Sequence, residues 1–128
     1  MSFCFNRKEA KTHGEGGNLV GAPLKGRVLV VDDVITAGTA INEAVDIINA
    51  QPDAKLEGVV IALDRQERAT EDSPESAIMQ VEKRLGVKVY SVVTLGQIIK
   101  HMEVTRGDEA RKDIDSMREY RERYGCSA

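Results

Sequence analysis

The chain has 128 residues, 41% of them hydrophobic and 30% charged, with a formal net charge of −3, which is ordinary for one small globular domain and argues against an electrostatic nucleic-acid binder. Its two cysteines, Cys4 and Cys126, lie near opposite ends without metal-ligand spacing, so a reducing compartment, the cytoplasm, is the simplest expectation. No stretch approaches the ~20 apolar residues of a membrane helix, and Met1 to Phe5 runs into Asn-Arg-Lys without a signal-peptide core.

Taken in order, Phe3 to Phe5 reads as a short apolar strand with no preceding cap or turn, as though the chain opens in mid-fold. Residues 6–21 then turn polar. Gly14, Gly16 and Gly17 sit among charges, a composition that cannot pack a core and predicts a flexible loop or loose hairpin. For a generic sequence this would be a solvated connection. Here it delivers Arg7, Lys8, Lys11 and His13 into an acidic protein, just ahead of the first long apolar strand, and glycines with cations describe a lid over a polyphosphate.

Val28 to Val31 is an uninterrupted aliphatic run, the pattern of a parallel strand covered on both faces, and Asp32 and Asp33 mark its carboxyl end. Open α/β sheets bind ligands there. Thr36-Ala37-Gly38-Thr39 follows, small residues with free N–H groups that open a helix with Ile41, Ala44, Val45 and Ile48 on one stripe, so their amides can face an anion. Consecutive strand-end carboxylates point in different directions and can accept from two neighbouring hydroxyls, such as those of a ribose, while attracting a metal-bound polyphosphate. The other reading of the pair is as helix caps or metal-only ligands, as in the receiver domains of response regulators.

Gln51-Pro52-Asp53 stops that helix. Val59 to Leu63 predicts a second buried strand ending in Asp64-Arg65-Gln66-Glu67-Arg68. The strand, helix, strand order makes the two strands parallel and brings this cluster to the edge that carries the aspartates, although charge alone also fits a hydrophilic turn. Ser73-Pro74-Glu75 predicts the N-cap, first-turn proline and early acid of a helix with Ile78, Val81 and Leu85 inward and Gly86 at its end. Val87 to Val93, mixed with Lys88 and Ser91, is a third strand nearer a sheet edge. Thr94-Leu95-Gly96-Gln97 gives a capping box for a short helix with Leu95, Ile98, Ile99 and Met102 inward. The last helix, residues 108–124, places Ile114, Met117, Tyr120 and Tyr124 on one face and a Glu119 to Arg123 pair on the other, which reads as packing without chemistry. The methionines read as core filler and His101 as structural.

The stretch from Arg27 to Ala40 resembles the phosphoribosyl diphosphate (PRPP) motif of type I phosphoribosyltransferases: hydrophobic run, Asp-Asp, two residues, then Thr-Ala-Gly-Thr. The resemblance implies that Asp32 and Asp33 meet the ribose 2′ and 3′ hydroxyls and that Thr36 to Thr39 hold the 5′-phosphate, within a PRPP-binding set of Asp32, Asp33, Val34, Ile35, Thr36, Ala37, Gly38, Thr39 and Ala40. The preceding Asn-Arg-Lys-Glu-Ala-Lys-x-His-Gly-Glu-Gly-Gly is similar to the catalytic loop of the orotate phosphoribosyltransferases, whose arginine, two lysines and histidine fall on Arg7, Lys8, Lys11 and His13, with Thr12 as a spacer. In that family the loop closes over the neighbouring subunit's site, which implies a homodimer. An Asp-Arg-Gln-Glu segment there supplies an arginine to the orotate carboxylate, a role that falls on Arg65, with Thr36 as the second contact to the base.

The resemblance runs from about Phe3 to the final helix. It implies an α/β fold, a parallel-sheet, Rossmann-like type I phosphoribosyltransferase core forming a single domain over residues 1–128, with residues 6–21 as the catalytic loop. It further implies that the chain starts downstream of an N-terminal hood, a central strand and a pyrophosphate loop with a non-proline cis peptide, so that the core is incomplete at the N-terminus. The implied reaction is transfer of 5-phosphoribosyl from PRPP to orotate N1, giving orotidine 5′-monophosphate and pyrophosphate in pyrimidine biosynthesis. Mg2+ is expected to be held through PRPP rather than by the protein, and no nucleic-acid or membrane partner is expected. Two other classes share some of these features. A receiver-like signalling domain would need a phosphoacceptor aspartate at a second strand end and has no use for Thr-Ala-Gly-Thr. A non-catalytic PRPP-binding module, or an inactive fragment, is the nearer alternative, because part of the family's site is missing.

Overall fold

A computed structural model describes residues 1–6, 19–35 and 39–126, with Thr39 described by its backbone alone. The chain alternates strands and helices as its hydrophobic periodicity switches between two and 3.6 residues. Strands β1 (Cys4–Asn6) and β2 (Leu19–Gly21) form an antiparallel pair in which Cys4 faces Gly21, Phe5 faces Val20 and Asn6 faces Leu19. Gly21 has to be a glycine: its φ is +121°, and a Cβ there would stand 2.6 Å from the Phe3 carbonyl oxygen.

The remaining strands, β3 (Gly26–Asp32), β4 (Ala54–Asp64) and β5 (Lys88–Thr94), form a parallel sheet in the order β3-β4-β5. Helix α1 (Thr39–Asn49) makes the first crossover and α2 (Ala77–Leu85) the second, as parallel pairing requires. Both lie on one face. Ile41 and Val45 of α1 and Ala77 and Val81 of α2 pack on Val59 and Ile61 of β4 and Val89 of β5 to make the main core, with Ile35 beneath. Val59 and Ile61 are fully buried, each burial stabilising the fold by about 1.5–3 kcal/mol.

The opposite face of the sheet is open, contrary to the covered strand that the run Val28 to Val31 suggests. Val31 is 76% exposed and Val92 77%, with Leu29 and Tyr90 also exposed beside them. An aliphatic run reports that both faces are apolar, and it cannot report whether anything lies on them. Register explains the shared direction: Val31 pairs with Val60 and Val60 with Tyr90. A bulge between Val28 and Leu29 sets Leu29 opposite Gly58, whose missing side chain leaves room for Leu29 and Tyr90 on either side.

A second layer follows β5. Helix α3 (Leu95–Thr105) starts on the expected capping box, Thr94 Oγ1 accepting from Gln97 N while Gln97 Oε1 accepts from Thr94 N. A 3-10 turn (Gly107–Ala110) leads into α4 (Arg111–Tyr124), so the last helix begins three residues later than the periodicity predicts. Leu95 and Ile99 pack on Ala110 and Ile114, with Met102, Met117 and Tyr120 around them. The predicted Glu119 to Arg123 pair does not form among the described residues. Arg118 pairs instead with Glu103 of α3, and Arg123 lies over the Tyr124 ring. Helix α2 also begins late. Its N-cap is Ser76 rather than Ser73, the Ser76 hydroxyl accepting from Met79 N at 3.0 Å, and Gly86 ends it with φ 66°. Ser73 is spent on a turn, where its hydroxyl accepts from Glu75 N and Gln80 Nε2.

Candidate active site

Strands β3 and β4 end side by side, and the polar residues at their carboxyl ends form the site. Asp33, one residue past β3, keeps the two chains in step: its carbonyl accepts from both Ala62 N and Leu63 N at 3.0 Å. The two aspartates each accept from the next amide, Asp32 Oδ1 from Asp33 N at 2.8 Å and Asp33 Oδ1 from Val34 N at 2.7 Å. The Asp33 carboxyl is thereby held below the ordinary aspartate range, chiefly by the Val34 amide and then by the adjoining Asp32 side chain, with a smaller loss of hydration opposing. The positive charge of Arg65 adds to that depression, so the cluster after β4 is electrically part of the same site.

Arg65 sits in a turn that its neighbours define closely. Asp64 Oδ1 accepts from Gln66 N at 2.8 Å, and Gln66 takes φ 56°, the left-handed region that a side chain seldom adopts. Gln66 Oε1 accepts from Gly96 N at the start of α3, at 3.1 Å. The end of α4 closes the other side: Cys126 N donates to Gln66 O and Arg68 N to Tyr124 O, both at 2.8 Å. The Arg68 guanidinium donates to the Arg123 carbonyl at 2.6 Å, a cation at the negative end of a helix.

Of the predicted site residues, Asp32, Asp33 and Arg65 are brought together at one sheet edge. Ile35 packs into the core, so only its backbone remains for a ligand, while Val34 is half-buried and Ala40 is exposed in the first turn of α1. Thr39 opens that helix. Arg7, Lys8, Lys11 and His13, and with them most of the loop at residues 6–21, lie outside the described residues, as do Thr36, Ala37 and Gly38. Among the described residues no three His, Cys, Asp or Glu side chains gather as a metal-holding group.

Sequence reasoning missed Glu67 and Tyr120. Tyr120 turns its ring to the α3–α4 cluster and its hydroxyl to Glu67. A tyrosine among apolar residues on a helix face carries a hydroxyl that needs a partner when it is buried, and that was the available signal.

No family model matches the chain. Orotate phosphoribosyltransferase of Yersinia pestis (strain Pestoides F) is 57% identical over 127 residues, covering 99% of this chain and 57% of that relative. The crystal structure of orotate phosphoribosyltransferase from Francisella tularensis superposes with a TM-score of 0.73 at 34% identity, covering 98% of this chain and 56% of that one. The Mycobacterium tuberculosis H37Rv orotate phosphoribosyltransferase, solved in complex with Fe(III) dicitrate, gives a TM-score of 0.53 at 27% identity over 73% of this chain. The chain thus spans little more than half the length of the curated relatives it matches. Over nearly its whole length it is homologous to the orotate phosphoribosyltransferases, and it folds as part of their α/β type I phosphoribosyltransferase core.

Proposed function

We propose that this chain carries the ribose-binding and orotate-binding part of an orotate phosphoribosyltransferase, acting in the cytoplasm in pyrimidine biosynthesis. The observation that supports this most is the convergence of Asp32 and Asp33 with Arg65 at one sheet edge, in a chain 57% identical to such enzymes. That kinship favours a transferase over a PRPP-binding module without catalysis.

In this reading Asp32 and Asp33 accept hydrogen bonds from the ribose 2′ and 3′ hydroxyls, and residues 36–39 hold the 5′-phosphate ahead of α1. Arg65 takes the orotate carboxylate on its guanidinium fork, with Thr36 as the second contact to the base. Orotate N1, having lost its proton, forms the bond to C1′ while the C1′–O bond to pyrophosphate breaks and its electron pair leaves with the diphosphate. Positive charge builds on the ribose in between, so the chain's task is alignment and charge complementarity rather than covalent attack. Arg7, Lys8, Lys11 and His13, reaching the site from a neighbouring subunit of a homodimer, balance the departing phosphates. Two adjacent carboxylates at the end of β3 suit a divalent cation arriving on the diphosphate, and magnesium would supply charge neutralisation there.

Calorimetry with Mg-PRPP tests the assignment. Asp32→Asn and Asp33→Asn should each weaken binding about tenfold or more, because a hydrogen bond to a charged group contributes about 1.5–3 kcal/mol. Unchanged affinity in both variants would refute it.

A further inference from the structure

Three side chains from two distant parts of the chain stand in a row beside the site. The Tyr120 hydroxyl on α4 donates to Glu67 Oε1, and that same oxygen faces Arg65 Nε at 3.4 Å. The pair is partly shielded, with the side chains of Arg65 and Glu67 30% and 18% exposed, so their attraction is less screened than that of a surface pair. Arg65 Nε is itself buried and has no hydrogen-bond partner, so what it shares with Glu67 is charge at close range rather than a directed bond. Such a contact does not fix a guanidinium by its own geometry. It fixes it only as well as the carboxylate oxygen is fixed, and the phenol fixes that oxygen. Neither Nη of Arg65 hydrogen-bonds among the described residues, so the fork is left for a ligand. The end of α4 also grips the backbone on either side of Glu67, through Gln66 O and Arg68 N.

We propose that Tyr120 is a positioning residue for carboxylate recognition: by anchoring Glu67 Oε1 it sets the Arg65 guanidinium in the orientation that accepts a planar carboxylate on the substrate base. Helix α4 is then a support for specificity as well as a packing element. This rests on the reading of Arg65 as the partner of the orotate carboxylate.

The experiment uses the chain with isotope-labelled arginine and compares Tyr120→Phe, Glu67→Gln and Arg65→Ala, the last identifying the Arg65 Nε–H resonance by its loss. Tyr120→Phe keeps the ring and its packing, and a thermal melt checks that each variant is folded. Both Glu67→Gln and Tyr120→Phe should move the Arg65 resonance toward the free guanidinium position and speed its exchange with water. An Arg65 signal unmoved by Tyr120→Phe overturns the proposal. Calorimetry with orotate and, separately, Mg-PRPP reads the consequence. Arg65→Ala should weaken orotate about tenfold or more and Tyr120→Phe about three- to tenfold, with PRPP affinity held within about twofold in Tyr120→Phe. A purely structural role for the hydroxyl would weaken both ligands together and also overturns the proposal. If Arg65→Ala weakens orotate and Tyr120→Phe does not, the positioning role alone fails. If orotate binding is absent, or is indifferent to Arg65→Ala, the reading of Arg65 fails while the resonance still decides what Tyr120 holds.

Discussion

Val31 on β3 and Tyr90 on β5 are both register partners of Val60, one on each side of it, and so share the outward face of the sheet. With Leu29 and Val92 they leave an apolar surface that no helix of the described residues covers. All-parallel sheets are ordinarily covered on both faces, and a bare apolar patch binds whatever apolar material it meets. The chain should therefore enhance the fluorescence of a hydrophobic dye. Val31→Lys combined with Val92→Lys should cut that signal by about half or more while costing about 1 kcal/mol or less of stability. A large fall in the melting midpoint would show that these side chains are inside.

Asp33 provides a pH dependence whose sign is fixed. Its carboxyl is depressed in the folded chain, so its ionised form favours folding above the unfolded value of about 3.9, and this contribution is lost as pH falls through the lower, folded value. Urea midpoints measured from about pH 3 to pH 7 should show wild type losing stability on acidification more steeply than Asp33→Asn, with the two curves parallel above about pH 5. Parallel curves throughout would mean that the Val34 amide and the adjacent groups do not depress it.

Ile61 is 0% exposed at the middle of β4, with α1 and α2 on it. Ile61→Ala should cost about 2–5 kcal/mol by urea denaturation, a large share of the ~5–15 kcal/mol stability of a whole domain. Ala62→Ser, next to it on the exposed face, should cost about 0.5 kcal/mol or less. Equal effects would mean that the sheet is not one-sided.

Two serines three residues apart distinguish the predicted start of α2 from the observed one. Ser76→Ala removes the hydroxyl that accepts from Met79 N and should cost about 1 kcal/mol. Ser73→Ala loses only longer turn contacts, at 3.3 and 3.2 Å, and should cost less. Thermal melts of the two variants check the order.

Much of the fold was legible because it is written in local pattern. The apolar runs at Val28 to Val31 and Val59 to Leu63, the stripe of α1 and the capping box at Thr94 each depend on residues within a few positions of one another, and each is found in the structure. The start of α2 was misplaced because Ser73 and Ser76 are both competent caps, and only the packing of Ala77 against β4 and β5 decides between them. Asp32, Asp33 and Arg65 were legible as a group because parallel pairing sends successive strand ends to one edge. The Tyr120 to Glu67 bond was not, since its partners are separated by 53 positions and the sequence between them gives no sign that α4 returns to the loop after β4. For the same reason the aliphatic run of β3 could not reveal that its outer face is bare.

The sheet order β3-β4-β5 repeats the order of the strands along the chain, with a consequence for the time course of synthesis. Each strand can pair with its predecessor as soon as it and the intervening helix are free, so every closure spans a short stretch of chain and carries a small entropic cost. The turn bearing Arg65 cannot finish so early, because it needs Tyr124, Gly125 and Cys126, about thirty residues beyond the end of β5. At roughly 5–20 residues per second, a nascent chain would hold a paired sheet for a few seconds before the segment that fixes this turn existed. Asp32 and Asp33 would be in place while Arg65 was still waiting for α4.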